Sequence, residues 1–363
     1  MPGLQVLRGI AASLVVFHHF ARVYKDGSPG HSWIYSSGLG DLGKCGVDIF
    51  FVISGFIMVY TTVEKSGADD ALIFIKRRIL RIYPLYWIWT SVLLALWLSG
   101  AVEQLRHYST GYLVRSYLLI PAFNGTYFEP LLQPGWTLSF EMLFYVAFSC
   151  GVLLKLRSGK ILFLAAAFSS MAVFARLLPP ESGMRYLLTN PIIIEFLFGV
   201  LLAELITRLP AIRRNLLSRV LPAALMSVGA LALLCTVKIP DADSMRFALY
   251  GIPAFFVVLG AAMLGSAAAP KFLVYLGDAS YSIYLAHFFL AQAYASALKH
   301  LPIFNRLAPD AAIVLAGAAT IAISSVTYAL VERPLTIALA FRTSTKPVNV
   351  ASAPLFGAGE GSR

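Results

Sequence analysis

Apolar residues run along this chain in windows of membrane-spanning length, separated by short polar connectors. The windows fall at 4–24, 45–63, 82–100, 136–154, 161–177, 188–207, 216–237, 247–267, 279–298 and 311–331. Each approaches the roughly 20 residues that a helix needs to cross hydrocarbon. Ile82–Gly100 contains no charged residue at all. The pattern predicts an all-α polytopic integral membrane protein of about ten transmembrane helices. The first window does not read as a cleaved leader, because Arg8 and Arg22 lie within it and no small-residue cleavage site follows. The longest connector, 101–135, carries Asn124, Gly125, Pro130 and Pro134 and reads as a segment folding over one face. The stretch 335–363, rich in Ser, Ala, Gly and Lys/Arg, is expected to be a disordered tail behind a single membrane domain at 1–334. No internal repeat is visible.

Composition agrees with the windows. Hydrophobic residues make up 58% of the chain and charged residues 13%, with a mean hydropathy of +0.75. A water-facing surface needs about twice that charge. The net charge of +11 has a membrane explanation: most of the 29 Lys and Arg residues fall in alternate connectors. The positive-inside rule then puts both termini of this multi-pass chain in the cytoplasm. Orientation and anionic membrane lipids account for the basic balance, so no nucleic-acid partner is implied. Cys45, Cys150 and Cys235 lack metal-ligand spacing and read as small core residues. No metal site is expected.

Ionisable groups inside spans are costly, which makes each a functional candidate. Arg8 and His19 are eleven residues apart in the first span, about three helical turns, hence one face and ~16 Å along the axis. His18 points about 100° away from that face. With the N-terminus inside, Asp48, Glu141 and Glu195 all fall near the outer ends of their spans, at the depth of His19. A carboxylate beside an imidazole fixes its tautomer and supports a general base, while a buried structural hydrogen bond is the plainer role for each acid. The run Lys76-Arg77-Arg78-Ile79-Leu80-Arg81 places Arg77 and Arg78 on one helical face with Arg81. It suits either a lipid-headgroup anchor or a clamp for a polyanionic cytoplasmic ligand. Ser280, Tyr284 and His287 form a polar stripe; as the ninth span runs outward, His287 is expected nearer the cytoplasmic half, apart from His19. The aromatic runs IYPLYWIWT and FYVAF read as membrane packing.

As a set these residues resemble the membrane acyltransferase-3 family, particularly its exopolysaccharide and Nod-factor O-acetyltransferases. The motifs are LRGIAA with His19 eleven residues after Arg8, GVDIFFVISGF, KRRILRIYPLY, QPGWTLSFEMLFY, GDASYSIYLAH and VERP, in the family's order. The resemblance implies a ten-helix domain that takes an acyl group from cytoplasmic acyl-CoA and delivers it to a sugar hydroxyl of a glycan or lipid-linked saccharide at the outer face. It makes His19 the general base, supported by Arg8. It sets Arg78 and Arg81, with Arg77 beside them, at the CoA phosphates, and Glu141 and His287 in conserved polar motifs. No bound cofactor is implied, acyl-CoA being the donor substrate. Ser54 and Trp136 are candidates for the neighbourhood of the thioester oxyanion. The alternative is a proton-coupled transporter or flippase of a glycan or small molecule, which would use the same intramembrane groups.

Overall fold

A backbone in hydrocarbon has no water to bond, so each apolar window satisfies its own peptide groups by coiling. The computed structural model describes residues 1–27, 31–100, 108–123, 128–156, 159–208, 217–237, 239, 245–264, 269–301 and 307–341. In chain order its helices are α1 (Pro2–Gly27), α2 (Trp33–Ser36), α3 (Leu39–Leu42), α4 (Cys45–Thr61), α5 (Ala68–Leu98), α6 (Thr110–Tyr117), α7 (Gly135–Leu153) and α8 (Lys160–Ala175). They continue with α9 (Gly183–Thr189), α10 (Ile194–Arg208), α11 (Leu217–Thr236), α12 (Ile252–Met263), α13 (Lys271–Asp278), α14 (Ser280–His300), α15 (Pro309–Thr327) and α16 (Arg333–Phe341). Single π-helical turns lead into α12 and follow α15. No strand occurs among the described residues beyond one isolated bridge, Phe123 with Phe128.

Every predicted window holds a helix, but not every helix is a full-length span. Among the described residues six are long and apolar enough to cross a membrane, or seven if the bent pair Gly183–Thr189 and Pro191–Thr207 counts as one. Lys160–Ala175 and Phe247–Met263 fall short in length. The polar α14 is not among the six. Outward-facing side chains are apolar, as a lipid-facing surface requires: Leu162, Val173 and Phe174 on α8 are exposed while Leu164 and Phe168 face inward.

The structure departs from two expectations. The tail is helical through Phe341, because LTIALAF continues an apolar helix; 342–363 lie outside the described residues, as do Asn124 and Gly125. Of the three cysteines only Cys45 is buried, while Cys150 and Cys235 point outward from α7 and α11 as small apolar surface groups.

The chain divides into two compact units, Met1–Thr61 with Ile194–Arg363, and Thr62–Ile193. In the first, α1 is the central helix and packs against α4, α13, α14 and α15. Val16, Phe20 and Tyr24 of α1 close on Ile283, Tyr294 and Ile313. Close approach rests on glycines. A Cβ on Gly277 would run into the backbone carbonyl of Gln5, and one on Gly9 would meet Leu276 and Gly277 at 3.0 Å. Gly55 of α4 and Gly199 of α10 abut in the same way.

In the second unit α5 and α7 run antiparallel, with the Gly67 amide on the Val152 carbonyl at 2.8 Å and Tyr86 beside Gly135. The aromatic run of α5 does more than pack. Tyr83, Tyr86 and Trp87 donate to the carbonyls of Leu118, Ser116 and Tyr117 at 3.0, 2.7 and 2.8 Å, satisfying the open end of α6.

Candidate active site

In the first unit α1 presents its two adjacent histidines to different neighbours, as the 100° step between them requires. His18 is buried, and its Nδ1 lies 2.8 Å from the Gly40 carbonyl and 3.8 Å from Asp41. His19, half-buried, turns to α14 instead, its ring centroid 4.9 Å from that of His287 at an interplanar angle of 37°. Tyr284 completes the group, 5.6 Å from His287 and 6.2 Å from Phe50 of α4. The stripe Ser280, Tyr284, His287 thus faces inward, each residue buried.

The expected separation of His287 from His19 is overturned. The window 279–298 does not open at a membrane face: α13 precedes it, and Gly277 already sits against Gly9. The Gln5 amide reaches Asp278 at 2.6 Å, which fixes the same register. From that level ten residues of α1 climb about 15 Å to His19, and α14, which starts just past α13, brings His287 beside it. Arg8 stays at the lower level with Gln5, 3.3 Å away. Its contribution to His19 is therefore not a direct contact, since the helix itself puts ~16 Å between them.

Asp48 and Glu195 do come together, both fully buried and beside one another. The partner that decides their role is Arg246, which sequence reasoning missed. Its Nε and one Nη each donate to a separate Asp48 oxygen at 2.9 Å, and the same Nη reaches the Lys44 carbonyl at 3.1 Å. The carboxylate expected beside the imidazole is thus held bidentately by a guanidinium. One signal was available: Arg246 opens a span on the side that the charge count leaves poor in Lys and Arg. Glu332 of VERP, likewise without an expected role, accepts from the amide and hydroxyl of Ser282 at 3.0 and 2.6 Å and caps α14. Ser54 is half-buried on α4, one residue before the Gly55–Gly199 contact.

In the second unit Arg78 stacks its guanidinium over Phe74 and Tyr145, at 5.4 and 5.6 Å from the ring centroids. Tyr145 hydrogen-bonds to Glu141, whose charge also acts on Arg78. Arg77 is exposed, Arg81 is half-exposed, and Trp136 packs edge-on to Phe140 at 6.0 Å. The arginines therefore lie within α5 and not ahead of it. α5 starts at Ala68, and Arg78 stands opposite Glu141 and Tyr145, about midway along α7. Among the described residues no group of His, Cys, Asp and Glu could hold a metal ion.

The model of the acyltransferase domain matches residues 1–329. The chain belongs to the acyltransferase-3 family. It is therefore an acyltransferase, and several apolar helices make it a multi-pass membrane protein. An exopolysaccharide production protein, ExoZ of Rhizobium meliloti (strain 1021), is 32% identical over 302 residues, covering 81% of this chain and 90% of the relative. The acyltransferase MdmB of Streptomyces mycarofaciens is 29% identical, over 41% of this chain and 38% of its own. A Staphylococcus aureus (strain MSSA476) protein whose name provisionally assigns it O-acetyltransferase activity is 25% identical, over 79% of this chain and half of its own length. No solved structure matches.

Proposed function

We propose that this enzyme moves an acetyl group from cytoplasmic acyl-CoA to a hydroxyl of a surface or exported glycan, carried free or on a lipid. His19 takes the proton from the sugar hydroxyl, whose oxygen attacks the thioester carbonyl. The carbon–sulfur bond then breaks, and the thiolate leaves with the proton that His19 returns. Arg78 and Arg81 hold CoA phosphates, with the exposed Arg77 beside them. The buried Arg78 Nε, which has no hydrogen-bond partner among the described residues, supports that reading, because a phosphate oxygen would satisfy it. Glu141 acts on the donor side, steadying Arg78 through Tyr145. Ser54 and Trp136 remain the candidates near the oxyanion.

The observation that carries the proposal is the placing of a half-buried His19 against His287 in a chain of this family. The topology that serves it is ten spans with both termini cytoplasmic in a bacterial inner membrane, α14 and the shorter apolar helices completing the six or seven long ones. Mass spectrometry of surface glycans from cells with and without the gene tests it. Loss of a 42-dalton acetyl increment, the mass of C2H2O, is expected. Unchanged glycans would remove the acceptor from the proposal.

A further inference from the structure

We infer that His287 is the hydrogen-bond acceptor that orients His19, a second imidazole standing where many bases have a carboxylate. The inference rests on the reading of His19 as the base. His287 is buried, and its Nδ1 is hydrogen-bonded to the Tyr284 carbonyl of its own helix. A carbonyl only accepts, so Nδ1 is the donor, and in the neutral ring Nε2 keeps its lone pair. The ring next to it is that of His19, in contact at 4.9 Å between centroids. The buried acid of α4, Asp48, gives both its oxygens to Arg246.

An N–H of His19 donated to His287 Nε2 fixes the His19 tautomer and leaves its other nitrogen bare for the sugar hydroxyl. His287 makes and breaks no bond to carbon; it is a positioning residue. A neutral acceptor also avoids burying an anion next to the base, which a carboxylate would require. The packing supports the pairing, since the Gly9–Gly277 contact fixes α13 against α1 and α14 begins three residues later, at Ser280.

The test uses the purified full chain in detergent with acetyl-CoA and the polysaccharide isolated from cells lacking the gene. Glutamine can place an amide oxygen where Nε2 stands, asparagine places its oxygen near Nδ1, and leucine offers no acceptor. His287→Leu is expected to lower kcat on the order of a hundredfold, with the KM for acetyl-CoA within about twofold of the parent. His287→Gln should recover most of the loss and His287→Asn should not. If leucine unfolds the protein, the glutamine and asparagine variants carry the same contrast between two amides. Equal kcat in those two variants, or an unchanged kcat in His287→Leu, overturns the inference. His19→Ala separates the layers: transfer surviving it removes the base itself, whereas transfer lost there but intact in His287→Leu removes only the pairing.

Discussion

Replacing Arg246 with alanine strands Asp48, and the structure sets the scale of the damage. Asp48 has no exposed side-chain surface, Arg246 keeps 17% of its own, and two contacts of 2.9 Å join them. Removing one partner of such a pair leaves a charge in a medium that cannot solvate it, at a cost of about 3–5 kcal/mol. Replacing both partners with apolar groups of similar volume is often neutral, because the desolvation cost disappears with the attraction. Arg246→Ala should therefore lose about 4 kcal/mol, roughly a thousandfold in the unfolding equilibrium. The double variant Asp48→Leu with Arg246→Met should recover most of that. The assay is unfolding by titration with a denaturing detergent, followed by tryptophan fluorescence, on the parent, both single variants and the double. A single-variant cost below about 1 kcal/mol, or a double variant worse than Arg246→Ala, would refute the buried-pair reasoning.

Three further outcomes are expected. His19→Ala should lower transfer by about 10²–10⁴-fold, while His18→Ala, which loses its contacts with the Gly40 carbonyl and Asp41, should cost about 1 kcal/mol of stability and leave kcat within an order of magnitude; kinetics and unfolding of the two variants settle this together. Gly277→Ala drives a methyl into the Gln5 carbonyl, which has no flexible end to yield, so unfolding titration should show about 1–3 kcal/mol of destabilisation, with kcat falling as α13, and α14 behind it, shifts against α1. Arg78→Ala or Arg81→Ala should raise the KM for acetyl-CoA roughly ten- to hundredfold, at about 1.5–3 kcal/mol per charged contact, with the acceptor's KM unmoved; a change in membrane insertion alone would favour the lipid anchor.

What could be read beforehand is what repeats within one element. The shared face of Arg8 and His19, the turning of His18 away from it and the inward stripe of α14 all follow from 3.6 residues per turn. The meeting of Asp48 with Glu195 follows from spans that alternate in direction. Hydropathy marks where apolarity begins, however, and not where hydrogen-bonded coiling begins. Residues 68–81 carry six charges yet are helical: Gly67 enters with φ +94°, and Asp69 and Asp70 suit the positive end of the helix dipole. That extension carries Arg78 to the level of Glu141. The short helix α13 was likewise hidden in a connector, and with it the register of His287. The pairing of Arg246 with Asp48 spans 198 positions and leaves no local trace.

Sidedness can be read with single cysteines in a cysteine-free background, at Asp26 for the outer face and Glu64 for the inner, both exposed. An impermeant thiol reagent on intact cells should label only Asp26→Cys. The central claim is transfer from a thioester to a glycan through His19, and one measurement addresses it directly. Purified protein in liposomes is given acetyl-CoA carrying a ¹⁴C-labelled acetyl group, together with polysaccharide from cells lacking the gene, while free thiol and labelled polysaccharide are followed in parallel. The account predicts one thiol released per acetyl gained by the polysaccharide, and neither product from His19→Ala. Polysaccharide that stays unlabelled, or equal labelling by His19→Ala, would contradict it.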